Sequence, residues 1–174
     1  MRILIILFMF SLSQSTLDFG QGKYGNDWMI INDGVMGGIS DGQARLEEDS
    51  LVFFGSLSLE NNGGFASVRS RFDRYDFSEF ETLTIRFKAQ GGKFSMMFEQ
   101  SRYFYNPYFA LNLQSSEDWQ EITISLSDLE QIRMGNKTGN TLGDNPLKAI
   151  RIGFIKADKK TNPFKLEIDY IKFK

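Results

Sequence analysis

Apolar and polar residues alternate with a period of two along most of this chain. Leu83, Ile85 and Phe87 alternate with Thr84, Arg86 and Lys88, and Phe94, Met96 and Phe98 with Ser95, Met97 and Glu99. Ile122, Ile124 and Leu126 alternate with Glu121, Thr123 and Ser125, and Leu166, Ile168 and Tyr170 with Glu167, Asp169 and Ile171. Successive side chains of a strand point to opposite faces, so each run predicts a strand with one face in a core. Residues 51–57, 65–71, 108–113 and 149–155 are further predicted strands. Turn signals separate the runs: Asp33-Gly34, Gly37-Gly38, Asp41-Gly42, Asn61-Asn62-Gly63-Gly64, Gly91-Gly92 and Asn145-Pro146. About eight to ten short strands with regular turns predict an all-β sandwich or barrel. Helix is confined to residues 76–80 (DFSEF) and 127–134 (SDLEQIRM), a turn or two each, with Ser127 or Asp128 capping the second. Residues 135–145 (GNKTGNTLGDN) predict a polar, mobile loop carrying the glycosylation sequon Asn136-Lys137-Thr138. No internal repeat, low-complexity tract or linker interrupts the pattern.

The N-terminus departs from the alternation. Residues 2–15 read RILIILFMFSLSQS: one Arg, an apolar run, then small residues at the spacing of a cleavage site. That order predicts a secretory signal peptide over residues 1–15. The run is too short to span a bilayer as a helix, so no stable membrane span is expected after cleavage. An exported protein, periplasmic or extracellular, follows as the expectation. Residues 16–174 then form one domain, long enough to bury a core.

Composition narrows the chemistry. The chain has 174 residues, a formal net charge of -2, no Cys and no His. Nothing in that balance points to nucleic acid. Cysteine nucleophiles, histidine bases and zinc held by thiol or imidazole are ruled out, and no bacterial lipid anchor can form. No cofactor is expected. A structural calcium bound by oxygen ligands alone is left open, although no calcium-loop spacing supports it.

Three segments draw attention as binding candidates. The first is WMIINDGVMGGIS, from Trp28 to Ser40. Asp33 and Ser40 offer polar atoms, Met36 an apolar one, and the glycines allow close approach of a ligand to the backbone. Equally, the glycines can serve a tight turn, with Trp28 as a lid on the core. No Lys follows Val35-Met36-Gly37-Gly38, so it is not a phosphate loop. The second is NNGGFASVRSR, residues 61–71. Arg69 and Arg71 share a parity, so they either grip a carboxylate or sugar hydroxyl together or pair with acids such as Glu60 or Asp73. The third is RYFYNPY, with Arg102, Tyr103, Tyr105 and Tyr108. Four aromatics in seven residues resist complete burial, and Tyr faces stack on sugars or form protein hot spots. The carboxylates Glu117, Asp118, Glu121, Asp128, Glu130, Asp144, Asp158 and Asp169 are scattered. Nothing in the sequence pairs them as a glycosidase requires.

Five blocks, in order, resemble a known family. They are W-x-x-x-N-D-G-V-M-G-G-x-S at Trp28 to Ser40, F-x-G-x-L-S-L-E-N-N-G-G-F-A-S-V-R at Phe53 to Arg69, D-W-Q-E-I-T-I-S-L-S-D-L at Asp118 to Leu129, I-R-I-G-F at Ile150 to Phe154, and P-F-K-L-E-I-D-Y-I at Pro163 to Ile171. Together they resemble the complex I intermediate-associated protein 30 family. The resemblance implies a galactose-binding-domain-like β-sandwich, a jelly roll. It also implies chaperone-like assembly work, on respiratory complex I in eukaryotic members and on photosystems in plant relatives. One departure stands out. Where many members carry Arg-x-x-Gly-Asp-Gly, this chain has Arg86, Phe87, Lys88, Ala89, Gln90, Gly91, Gly92, so no role of that Asp is carried over.

The leading expectation is therefore a non-catalytic binding or assembly-factor domain with an unidentified protein client. The alternative is a carbohydrate-binding module with a glycan partner. A carboxylate-based glycoside-active enzyme ranks third, because it would need two acids in one pocket.

Overall fold

The computed structural model describes residues 14–174. The predicted signal segment therefore lies almost entirely outside the described residues. In chain order the strands are β1 (Ser15–Asp18), β2 (Met29–Asn32), β3 (Asp41–Leu46), β4 (Leu51–Ser56), β5 (Ala66–Arg69), β6 (Tyr75–Asp76), β7 (Thr82–Gln90), β8 (Phe94–Glu99), β9 (Tyr108–Leu113), β10 (Ser116–Ser125), β11 (Glu130–Arg133), β12 (Asn136–Thr141), β13 (Lys148–Ala149), β14 (Arg151–Lys156) and β15 (Phe164–Phe173). Single 3-10 turns occupy Asp33–Met36, Glu60–Asn62 and Leu126–Asp128.

Two antiparallel sheets carry nearly all of these strands. One runs β10-β7-β15-β4-β3, with β1 also pairing β15; the other runs β12-β11-β9-β8-β14-β5-β2. The inward residues of both sheets share one core. Phe53, Phe87, Phe94, Phe98, Phe154 and Phe173 are fully buried in it. Each such ring, removed from water, contributes roughly 2–3 kcal/mol. Phe77 stacks on Phe173 at 4.1 Å between centroids, and Phe53 tilts against Phe164 at 5.0 Å. The all-β sandwich read from the alternation is what the chain forms.

Several local expectations are corrected. Residues 127–134 do not make a helix: one 3-10 turn ends at Asp128 without a side-chain cap, and the chain continues as β11 between β9 and β12. Residues 76–80 turn without forming a helix. Residues 136–141, expected to be loop, form the outermost strand of the seven-stranded sheet, with every residue exposed. An edge strand with both faces in solvent needs no apolar alternation, so none marks it. In β15 the parity flips. The register against β7 shifts between Ile168 and Tyr170, making Asp169 the extra residue of a bulge. Ile171 and Phe173 are buried in consequence, and Tyr170 turns outward.

Candidate functional site

The Trp28–Ser40 segment closes on itself and on its neighbour in the fold. Asp33 is fully buried. Its carboxylate accepts hydrogen bonds from Ser40 N–H at 3.0 Å, Ser40 Oγ at 2.5 Å, Gly64 N–H at 2.6 Å and Phe65 N–H at 3.2 Å. Burial raises the Asp33 pKa, but these four donors outweigh it and hold the carboxyl below its ordinary range. The surrounding glycines are there for space. A Cβ on Gly38 would collide with the Asp33 carboxyl, and one on Gly63 would sit 2.7 Å from Asp33 Oδ2. The Gly-Gly of the first block and the Asn-Asn-Gly-Gly of the second thus meet around a single carboxylate. Trp28 lies half-buried, edge-on to Phe19 at 5.2 Å and tilted on Phe154 at 5.9 Å. Met36 is exposed.

Arg69 and Arg71 are not a pair. Strand β5 ends at Arg69, and the chain carries Arg71 away to an exposed position 3.5 Å from Asp27. Arg69 turns onto the outer face of the seven-stranded sheet and meets Glu99, not Glu60 or Asp73. Arg151 reaches the other oxygen of Glu99, with Nε at 2.7 Å and a terminal nitrogen at 2.6 Å. Gly153 makes this possible. It lies between Arg69 and Met97 in register, and its missing Cβ would stand 2.9 Å from Arg69 Cγ and 2.6 Å from Val68 O. The Arg69 side chain crosses where a methyl would be. Ser67 Oγ accepts from Arg69 Nε at 2.8 Å and donates to Ile31 O at 2.7 Å, fixing the base of the arginine. Tyr108 lies opposite Glu99 across β8 and β9. Burial pushes its hydroxyl pKa up, with Arg69 opposing and Glu99 reinforcing.

Beside this ion cluster lies the aromatic loop. Two guanidinium groups lie against the Phe72 ring, Arg151 at 4.3 Å and Arg102 at 4.7 Å from its centroid. Tyr103 and Tyr105 stack on each other at 5.5 Å and 17°. Their exposures are 63% and 47%, and Phe104 next to them is 74% exposed, so the three rings form an exposed aromatic patch. Arg133 donates from Nε to Tyr105 O at 3.3 Å. Of the predicted residues, Arg69, Arg102, Tyr103, Tyr105 and Tyr108 therefore gather at one side of the seven-stranded sheet. Trp28, Asp33 and Ser40 serve packing and a buried hydrogen-bond node elsewhere. Glu99, Arg151, Phe72 and Arg133 were not foreseen. Glu99 sits on the outward parity of Ser95 and Met97, and only the burial of that face gives it a special role.

The opposite face is different in kind. On the six-stranded sheet Arg86 pairs with Asp169, Lys165 with Glu167 at 3.0 Å, and Arg45 with Glu47 at 2.6 Å. Tyr170 donates to Glu121, a bond that pushes its pKa up to about 12. Most of the arginines and lysines there meet a carboxylate on the same face. Two clefts lie at the sandwich margins. One, about 460 Å³, has Glu81 and Asp144 in its wall; the other, about 500 Å³, lies between Arg74, Gln100 and Lys148. Among the described residues no cluster of three or more Asp or Glu could hold a metal ion. Nor is any helix among them long and apolar enough to cross a membrane.

Comparison with known proteins gives this geometry its kinship. Among solved structures, a family 11 carbohydrate-binding module from Clostridium thermocellum, in complex with a mixed-linked tetrasaccharide, superposes with a TM-score of 0.63 at 16% identity, over 92% of this chain and 94% of that one. A family 29 carbohydrate-binding module gives 0.57 at 11% identity, over 93% and 91%. At such identity the likeness establishes the jelly-roll fold alone. In sequence, the complex I intermediate-associated protein 30 of Mus musculus is 28% identical over 170 residues, covering 83% of this chain and 51% of its own. The chain thus spans about half the length of that curated relative. The mouse protein is mitochondrial, which overturns the exported destination expected from residues 1–15. The physical reason is plain: an Arg followed by an apolar run specifies an apolar N-terminal segment, not the compartment that receives it. The model of the complex I intermediate-associated protein 30 family matches residues 17–168, so the chain belongs to that family.

Proposed function

We propose that residues 16–174 act as one non-catalytic binding unit that holds a protein partner during assembly of a larger complex, without a cofactor. The contact surface is the corner of the seven-stranded sheet formed by the aromatic loop and the Arg69–Glu99–Arg151 cluster. One observation carries the reading: a patch of exposed aromatic side chains lies beside a largely buried ion cluster. Such aromatic and arginine groups are the usual anchors of protein interfaces. Family membership and the mouse relative's association with intermediates of complex I agree with it. The test is capture from a native extract on the immobilised chain, compared with a Tyr103→Ala/Tyr105→Ala variant. Loss of a respiratory-complex subunit from the variant eluate is expected; identical eluates would refute the assignment.

A glycan reading draws on the same tyrosines. Carbohydrate stacking needs free ring faces side by side, whereas Tyr103 and Tyr105 turn one face each toward the other in an offset stack and Tyr108 is half-buried. That geometry favours a protein partner. Specific glycan-array binding abolished by Tyr103→Ala would reverse the preference. An enzymatic role needs two acids in one pocket; the cleft with Glu81 and Asp144 has two in its wall, and a glycosidase activity lost on Glu81→Gln would establish it.

A further inference from the structure

The arginines of this chain divide sharply. Arg45, Arg69, Arg71, Arg86 and Arg151 each have a carboxylate within 4.0 Å. Among the described residues Arg74, Arg102 and Arg133 do not, and each is exposed. Arg102 and Arg133 border the aromatic corner. The Arg102 guanidinium lies over the Phe72 ring, 4.7 Å from its centroid, and Arg133 donates to the backbone of Tyr105, whereas Arg74 lines the cleft beside Asp76 and Lys148. A guanidinium stacked on a ring keeps its N–H edge directed outward and pre-ordered for a carboxylate. The chain as a whole carries a net charge of -2, so unmatched positive charge at this corner runs against the overall balance.

Resting on the binding role above, we propose that this corner docks an acidic segment of the protein partner. Carboxylates of that segment occupy the free edges of Arg102 and Arg133, and an apolar side chain between them rests on Tyr103 and Phe104. Matching charge sets the approach and the register, while the aromatic contact slows departure.

The experiment uses the full chain and three fluorescent probes: a short peptide alternating Glu and Phe, its Lys-for-Glu counterpart, and polygalacturonate fragments. Fluorescence anisotropy should show binding of the Glu peptide that weakens as salt is raised, and no binding of the Lys peptide. An Arg102→Glu/Arg133→Glu variant should weaken Glu-peptide binding by about tenfold or more. Arg45→Glu, on the opposite face, should leave it unchanged. Circular dichroism confirms that each variant is folded. Equal binding of both peptides, or unchanged binding by the double variant, overturns the proposal. Polygalacturonate binding in place of the peptide replaces the acidic protein segment with an acidic glycan. Capture from extract separates the two levels. A partner retained by wild type and by the double variant sinks the acidic-segment proposal while leaving the protein-binding role intact, whereas no partner on wild type sinks both.

Discussion

Asp33→Ala is the most informative single substitution. It removes the acceptor of four hydrogen bonds, three of them from the backbone N–H groups of Ser40, Gly64 and Phe65. A hydrogen bond to a charged group is worth about 1.5–3 kcal/mol, and a buried donor left without a partner costs about 1–3 kcal/mol. Ser40 is buried, whereas Gly64 and Phe65 are half-buried and can recruit water. The expected loss is therefore about 3–5 kcal/mol, well short of the full sum. That corresponds to a fall in Tm of about 6–20 °C for a chain of this size. Urea melts followed by circular dichroism measure it. Asp33→Asn should lose nearly as much, because its amide would point a donor at donors. The pH dependence has a definite sign. The folded pKa lies below the unfolded value of about 3.9, so the stabilisation is complete above that pH and is lost as pH falls through the folded pKa. The gap between wild type and Asp33→Asn should consequently narrow below about pH 4. A loss under about 1 kcal/mol at neutral pH, or a gap that widens in acid, would refute the account of this node.

Other expectations follow from the same geometry. Gly153→Ala should destabilise by about 1–3 kcal/mol and displace Arg69, read as loss of the protection of the Arg69 guanidinium in NMR exchange. Glu99→Ala should cost about 3–5 kcal/mol in denaturant melts, because two largely buried arginines lose their shared partner. The buried pair of Lys156 and Asp158 should respond asymmetrically. Asp158→Ala strands a fully buried ammonium, at a loss of about 3–5 kcal/mol, whereas Lys156→Met leaves Asp158 with N–H donors from Lys93 at 2.8 Å and Lys160 at 3.3 Å and should be much milder. Phe104→Ser should change stability by less than about 0.5 kcal/mol while weakening partner capture, since the ring is exposed.

How much of this was legible beforehand depends on whether the information is local. Strand β7 was fully readable, because Leu83, Ile85, Phe87 and Ala89 are all buried and their neighbours are not. Strand β15 was readable only to Ile168. Beyond it Tyr170 and Ile171 are both apolar, so alternation alone cannot reveal the bulge that decides which goes inward. Segment 127–134 has helical composition, yet pairing with Tyr108, Phe109 and Ala110 makes its second half a strand, an instance of tertiary context overriding propensity. The aromatic corner announced itself through crowding. Its arginine cluster did not, because Arg69, Glu99 and Arg151 come from three strands distant in sequence that only the sheet order brings together. Lys156 did leave a faint mark: it stands on the inward parity of Ile152 and Phe154, where a charge has to find a partner.

The position of β15 bears on how the chain reaches its native state. This strand lies between β7 on one side and β4 and β1 on the other, yet it is the last strand in chain order. During synthesis β4 therefore waits with one open edge until Ile168 has emerged and β7 until Phe173, and β1 waits longest of all. Folding of the six-stranded sheet is then a late, largely all-or-none event dominated by distant pairings, which makes it slow. A domain proposed to hold a partner during assembly would itself pass through a stage in which its own open strand edges need protection.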